Sequence, residues 1–189
     1  MSLCARHRKL VQIIMVSCLL FTATINIDPI PKLDPEVNGD VLEFNLPDLQ
    51  GNIVTNADSI FVGKVIFITI WGTWCPPCRS EIPTFIDLQK KYKDKGLVIL
   101  AIAFEKNVDN LSRKEYLQSF VDEQKINYLV LDGGDTSEFS YSLPQLEDVD
   151  GLPIEIFINR SGKVVETRNG FGYSESWAQE LERNLHNLL

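Results

Sequence analysis

The chain has 189 residues, of which 44% are hydrophobic and 23% charged, a composition typical of one globular domain with shorter appendages. Its net charge of −8 excludes nucleic acid as an expected partner, because an acidic surface repels phosphate backbones. Cysteines occur at positions 4, 18, 75 and 78, and the two histidines lie near the termini, at 7 and 186. Beyond residue 27 the chain offers too few thiols and imidazoles for a closed zinc site, and we expect no metal and no cofactor.

The first 27 residues carry a cationic head followed by an apolar run. Basic residues at positions 6, 8 and 9 precede Leu10–Ile27, and no acidic residue occurs before Asp28. This order is typical of an export signal or a membrane anchor, so we interpret residues 1–27 in that way and expect an extracytoplasmic domain. Cleavage, retention as an anchor and lipidation at Cys18 all stay open, since a run of 18 residues is close to the minimum for a spanning helix.

Residues 28–41 hold three prolines and one glycine, a composition that predicts a stiff, extended linker. The folded domain is then expected over residues 42–189. It opens with two short predicted strands, Glu43–Leu46 and Asn52–Thr55, which form a hairpin around the turn between them.

Two continuous apolar runs follow, Val65–Trp71 and Leu97–Ala103. Runs of this kind predict strands that are buried on both faces of a sheet. Apolar residues at helical spacing lie between them, at positions 82, 85, 86 and 92. Strand, helix and strand therefore make a right-handed βαβ unit whose two strands are parallel.

The rest of the chain adds a helix, a strand, a hairpin and a last helix. We predict the helix at Leu111–Gln124, the strand at Tyr128–Leu131, and the hairpin strands at Ile154–Ile158 and Lys163–Thr167. Trp177 and the leucines at 181, 185 and 188 predict a final amphipathic helix. The expected fold class is α/β, with a central mixed sheet flanked by helices.

A single Cys-x-x-Cys pair, Cys75-Pro76-Pro77-Cys78, falls where a buried predicted strand ends and a helix begins. With Cys75 as the N-cap, its sulfur lies among unpaired backbone N–H groups at the positive end of the helix dipole, so we expect a lowered pKa and a nucleophilic thiolate. Pro76 and Pro77 suit the first turn, where missing N–H groups cost little. Cys78, one turn along, is the expected resolving thiol. A purely structural disulfide is the weaker interpretation, because so small a loop adds little stability.

Segment 71–83, with the core WGTWCPPCR, resembles the active site of the TlpA/ResA-like branch of the thioredoxin superfamily. The segments 46–51 and 151–163 resemble the same branch, and the match covers most of residues 42–189. The resemblance implies a thioredoxin fold with an extra N-terminal β-hairpin, and disulfide exchange with extracytoplasmic proteins, often in cytochrome c maturation. It also implies that Pro153 is a cis-proline beside the cysteines. Glu81 matches an acidic residue of that branch, although a solvated surface carboxylate stays equally open.

Two tryptophans flank the pair, and we expect Trp74 to shield the disulfide and contact partners while Trp71 packs in the core. Thioredoxin itself carries a buried aspartate six residues before the first cysteine, and that position here is Thr69. Glu155 lies two residues after Pro153 in an apolar strand, so alternation places both on one face. Glu155 is therefore a candidate replacement for the missing carboxylate, the alternative being a strand-end glutamate that reaches solvent.

The sequence thus predicts a thiol-disulfide oxidoreductase that acts on a protein disulfide client. Since the Pro-Pro dipeptide has no charge to stabilise a thiolate strongly, and an exported domain meets oxidising surroundings, we expect a reductant recharged by a membrane thiol-disulfide donor. A peroxiredoxin-like peroxidase is a second hypothesis, but that family carries Thr and Pro where this chain has Gly72 and Ile68. A non-catalytic binding module of the same fold is a third, and the intact cysteine pair argues against it.

Overall fold

The computed structural model describes residues 41–106, 110–146, 151–169 and 174–189, with the side chains of residues 110 and 111 left aside. The predicted leader with Cys18, and the predicted linker apart from Val41, lie outside these residues. In the part of the chain that is described, no helix is both long and apolar enough to span a bilayer.

The described residues form a main sheet with the strand order β5-β4-β3-β6-β7, beside a separate two-stranded hairpin. The strands are β1 (Asn45–Pro47), β2 (Ile53–Thr55), β3 (Val65–Trp71), β4 (Leu97–Glu105), β5 (Leu129–Asp135), β6 (Ile154–Ile158) and β7 (Val164–Asn169). β3 pairs in parallel with β4, and β4 with β5, whereas β6 runs antiparallel to both β3 and β7. The sheet is therefore mixed, as the sequence predicts.

Helices cover this sheet unequally. They are α1 (Pro76–Tyr92), α2 (Asn110–Gln124), α3 (Phe139–Ser142) and α4 (Glu175–Leu188), with 3-10 turns at Lys93–Lys95, Thr136–Glu138 and Pro144–Leu146. α1, α2 and α4 pack on the face that carries Phe67, Ala101 and Phe157. The N-terminal hairpin and segment 139–146 pack on the other face, which carries Ile68.

The central position of β3 follows from its composition, because all seven of its residues are apolar or buried and it has a paired strand on each side. β3 and β6 have the predicted bounds. β4 runs to Glu105, two residues past its predicted end, and β5 continues to Asp135 rather than stopping at Leu131. Phe104 continues the apolar run of β4 by one residue and Glu105 ends it, whereas the extra residues of β5 are aspartates and glycines that no apolar run marks. Segment 136–146 forms only short helical turns, so its apolar residues do not repeat at helical spacing and the sequence does not predict these turns.

Arg160 binds three backbone carbonyl groups at the end of the sheet where β3 begins. Its guanidinium donates to the carbonyl oxygens of Gly63, Lys95 and Leu189 at 2.9, 3.0 and 2.7 Å. Val41, the first described residue, lies at this end of the sheet and lines a cavity together with Gly63 and Arg160. The cysteine pair follows the opposite end of β3.

Candidate active site

The cysteine pair lies at the start of α1, directly after the loop that follows β3. Cys75 is the N-cap residue, in an extended backbone conformation, and its Sγ accepts the backbone N–H of Cys78 at 3.3 Å. Pro76 and Pro77 occupy the first two helical positions, and the first turn carries no acidic side chain. The sulfur of Cys75 therefore lies at the positive end of the helix dipole, with no carboxylate in that turn to oppose it.

Cys75 and Cys78 form a disulfide, with their Cα atoms 5.4 Å apart. Both residues are buried, at 3% and 2% exposure, in an apolar cluster with Trp71, Ile82 and Phe120. The ring centroids of Trp71 and Phe120 lie 5.5 Å apart, which confirms the prediction that Trp71 packs in the core. These apolar neighbours keep the pair out of bulk water.

The loop before β6 reaches the disulfide. The peptide bond between Leu152 and Pro153 is cis, as the resemblance implies. The carbonyl oxygen of Leu152 lies 3.8 Å from Cys75 Sγ. Because Pro153 has no N–H to compete for the sulfur, this carbonyl is the polar group that the loop presents to Cys75. Once the disulfide is reduced, this carbonyl is placed to accept a hydrogen bond from the Cys75 thiol.

Trp74 is held against the end of β4. Its indole N–H donates to the carbonyl oxygen of Phe104 at 2.9 Å, and Lys106 Nζ lies 3.5 Å from the indole ring centroid. Trp74 nevertheless stays 38% exposed. Gly72 permits this close approach, because a Cβ there would lie 2.4 Å from Trp74 Nε1 and 2.6 Å from the Phe104 oxygen. Shielding of the disulfide and contact with partners stay predictions for Trp74.

Glu105, the last residue of β4, is a buried carboxylate that holds the loop before Cys75. It accepts the backbone N–H of Thr73 at 2.9 Å and the Thr73 hydroxyl at 2.7 Å, and Tyr116 Oη lies 3.2 Å from that hydroxyl. Burial raises the pKa of Glu105, while the two bonds from Thr73 lower it. The sequence does not predict this residue because the predicted strand stops at Ala103. A carboxylate directly after an apolar run is the signal that marks it.

Glu81 is fully buried on α1, one turn past Cys78, so the solvated-surface alternative for this residue is wrong. It lies near Tyr128, since burial and the charge of Glu81 together raise the pKa of that phenol. A carboxylate kept out of water this close to a cysteine pair is a feature typical of active sites. Its role in the reaction stays a prediction.

Glu155 is also fully buried, so the alternative of a glutamate that reaches solvent is wrong. It lies directly opposite Thr69 on the neighbouring strand and therefore on the face of the sheet that α1 covers. Arg168 on β7 donates to Glu155 Oε2 at 2.5 Å and also lies over the Phe157 ring, 4.9 Å from its centroid. Burial raises the pKa of Glu155, and Arg168 lowers it. The sequence does not predict this counter-ion.

A groove of about 190 Å³ is lined by two neighbours of Cys75, Trp74 and Leu152, although neither cysteine lines it. It is lined by Trp74, Phe104, Lys106, Thr136, Phe139, Gly151, Leu152 and Ile154. The lining is mostly apolar, and Lys106 is its one cation. Among the described residues, no group of three or more His, Cys, Asp or Glu side chains is placed to hold a metal ion.

The redoxin family model matches residues 35–183, which include both cysteines and Pro153. The chain belongs to the redoxin family. Within it, the thiol-disulfide oxidoreductase ResA of Bacillus anthracis is 32% identical over 155 residues, 81% of this chain and 79% of its own length. ResA of Bacillus subtilis strain 168 is 33% identical over 132 residues, 69% of this chain and 66% of its own.

Solved structures agree with this family assignment. A DsbE-type thiol:disulfide interchange protein from Chlorobium tepidum superposes with a TM-score of 0.64 at 28% identity, covering 79% of this chain and 96% of its own. The thioredoxin-like fold and the prediction of a disulfide oxidoreductase are therefore confirmed. This redoxin is a thiol-disulfide oxidoreductase of ResA/DsbE type with Cys75 and Cys78 as its pair. A non-catalytic module is set aside, and none of these three relatives is named a peroxidase.

Proposed function

We propose that the enzyme reduces disulfides of extracytoplasmic protein clients, with Cys75 as the attacking thiol and Cys78 as the resolving thiol. The observation that carries this proposal is the position of the pair. Cys75 caps α1 next to Trp74 and the Leu152 carbonyl, and both of those residues line the groove, whereas Cys78 lies one turn inside the helix. The dipole at the helix start favours the thiolate at Cys75 and much less at Cys78.

The exchange takes two steps. The Cys75 thiolate attacks one sulfur of the client disulfide, forms a mixed disulfide and releases the other client sulfur as a thiolate. The Cys78 thiolate then attacks Cys75 Sγ, which re-forms the Cys75–Cys78 bond and releases the second client thiol. The client gains two electrons and two protons, and the enzyme loses them. A membrane-bound dithiol donor returns the enzyme to its reduced form.

Three neighbours support the exchange in this proposal. The groove between Trp74 and the loop before Pro153 receives the client backbone next to Cys75. Glu81 and Glu155 are two buried carboxylates, and each is a candidate to accept the Cys78 proton. Cytochrome c maturation is the candidate pathway, supported by the resemblance to the TlpA/ResA-like branch.

A trapping experiment tests the order of attack. Full-length Cys78→Ser protein, reduced and mixed with insulin as a disulfide client, should accumulate a covalent complex through Cys75, because no resolving thiol remains. Cys75→Ser protein is the matched control and should give little complex, since Cys78 lies deeper in the helix. If alkylation mapping of the reduced wild-type protein at neutral pH finds Cys78 reacting faster than Cys75, the assignment is wrong.

A further inference from the structure

Three consecutive residues at the end of β4 hold the segment that precedes Cys75. Phe104 accepts the Trp74 indole N–H at 2.9 Å, Glu105 accepts two bonds from Thr73, and Lys106 lies over the Trp74 ring. The end of β4 thus contacts two successive loop residues, Thr73 and Trp74. The loop itself is closed by the backbone N–H of Cys75, which donates to the carbonyl oxygen of residue 72 at 3.1 Å.

From this arrangement we infer that Glu105 is a positioning residue of disulfide exchange, which fixes Thr73 and thereby sets the place and the thiolate stability of Cys75. The inference deepens the proposed function and rests on it for the direction of exchange. Glu105 contacts neither sulfur in the described geometry. It acts through Thr73, whose two bonds to the carboxylate span 32 residues of sequence and are both buried.

Replacement of the carboxylate has two separable effects. Glutamine at position 105 keeps one oxygen to accept the Thr73 N–H, and its amide NH₂ can donate to the Thr73 hydroxyl oxygen, so it keeps the loop in place but removes a negative charge. A negative charge behind Cys75 disfavours its thiolate, so its removal should lower the pKa of the reduced thiol. Loss of the Thr73 hydroxyl, by contrast, loosens the loop and leaves the charge.

The charged groups that act on Glu105 come from α2 and β5. α2 contributes Arg113 and the Tyr116 hydroxyl, and β5 contributes Asp132 and, at the paired position, Asp135. Arg113 is already bonded to Asp132 at 2.7 Å, both being buried. The Asp132 charge adds to the effect of burial on Glu105, and Arg113 opposes it. A pair of buried carboxylates therefore faces one buried guanidinium at the end of β4.

The test uses full-length protein with four substitutions. Thr73→Val should lower kcat/KM for insulin reduction by about tenfold, while Thr73→Ser, which keeps the hydroxyl, should stay within about twofold of wild type. Glu105→Gln should raise the rate of Cys75 alkylation at neutral pH by roughly three- to tenfold and move the whole pH profile to lower pH. Glu115→Gln, at an exposed position on α2, is the matched control and should leave both readouts unchanged.

Two results would overturn the inference. The first is an alkylation profile of Glu105→Gln that coincides with the wild-type profile, because a merely structural carboxylate does not tune a thiol. The second is equal insulin reduction by Thr73→Val and Thr73→Ser. Alkylation needs only the reduced pair, so it tests Glu105 even if the wild-type enzyme fails to reduce insulin, in which case the proposed function and not this inference fails.

Discussion

Glu155 is a buried carboxylate whose counter-ion is Arg168, and the effect of replacing Glu155 depends on this pair. Its neighbour across the strand pair is Thr69, at the position where thioredoxin carries an aspartate. The side-chain oxygen of Thr69 and Oε1 of Glu155 both lie buried without a hydrogen-bond partner among the described residues. Only Oε2 is used, by Arg168. The Trp177 side chain of α4 also acts on this carboxylate and lowers its pKa, and Oε1 is the candidate oxygen for a proton.

We expect Glu155→Gln to slow turnover by roughly ten- to a hundredfold while the mixed disulfide through Cys75 still forms at nearly the wild-type rate. Burial holds the pKa of Glu155 above its usual value, and proton acceptance requires the ionised form. In the wild-type enzyme the Cys78 step should therefore slow as pH falls through that raised pKa, and the variant should lack this decline. Single-turnover decay of the mixed disulfide across pH measures it, and an unchanged profile makes Glu155 a bystander.

The matched control for Glu155 is Arg168→Leu, which removes the cation and keeps apolar contact with Phe157. A buried carboxylate without its counter-ion should lower the free energy of unfolding by about 3 kcal/mol. Glu155→Gln in the same background should recover most of that loss, because a neutral amide needs no cation. Urea denaturation separates this structural effect from the kinetic one.

At the residue scale, the sequence predicts what depends on local chemistry. Short sequence motifs contain Cys75, Cys78 and Pro153, and the spacing within these motifs predicts the role of each residue. Arg168 and Glu105 do not, because their partners are set by strand pairing and loop contacts, 13 residues away for Arg168 and 32 for Glu105. The burial of Glu81 and Glu155 likewise depends on helix packing, which left both carboxylates with two open interpretations.

At the scale of elements, the start of α1 governs the chemistry of the pair. The two helical positions after Cys75 hold prolines and the first turn carries no acidic side chain, so neither of these two positions adds a charge to the dipole. The apolar run of β3 and the motif after it were enough to predict both bounds of this strand-to-helix junction. The region 132–146 was not predictable in the same way, because glycines, aspartates and short 3-10 turns carry no period.

The uncharged dipeptide between the two cysteines predicts the effect of Pro77→His. An imidazolium beside Cys75 should stabilise the thiolate and hence the reduced enzyme by about tenfold, which makes the pair more oxidising by about 30 mV. The redox equilibrium with glutathione at pH 6 to 7 measures this shift. Pro77→Ala, which removes the ring without adding a charge, should stay near the wild-type value. Equal potentials for the two variants would show that charge in the first turn does not set the potential.

At the scale of the whole molecule, the predicted leader over residues 1–27 leads to a testable prediction of membrane attachment. We expect full-length protein to remain in the membrane fraction after a carbonate or high-salt wash, since the apolar run follows a cationic head. A chain that starts at residue 42 is the matched control and should be recovered in the soluble fraction. Recovery of a soluble product that starts near residue 25 would contradict a retained anchor and leave export intact.

Val41 and the cysteine pair lie at opposite ends of β3. Val41 lines a cavity with Gly63 and Arg160 at the beginning of that strand, and the cysteines follow its other end. A strand of seven residues spans roughly 23 Å, at about 3.3 Å per residue. Whatever precedes Val41 is thus attached to the domain at the end remote from the reactive sulfurs. On the prediction that residues 1–27 form a tether, its point of attachment to the domain would therefore lie away from the place where a client meets Cys75.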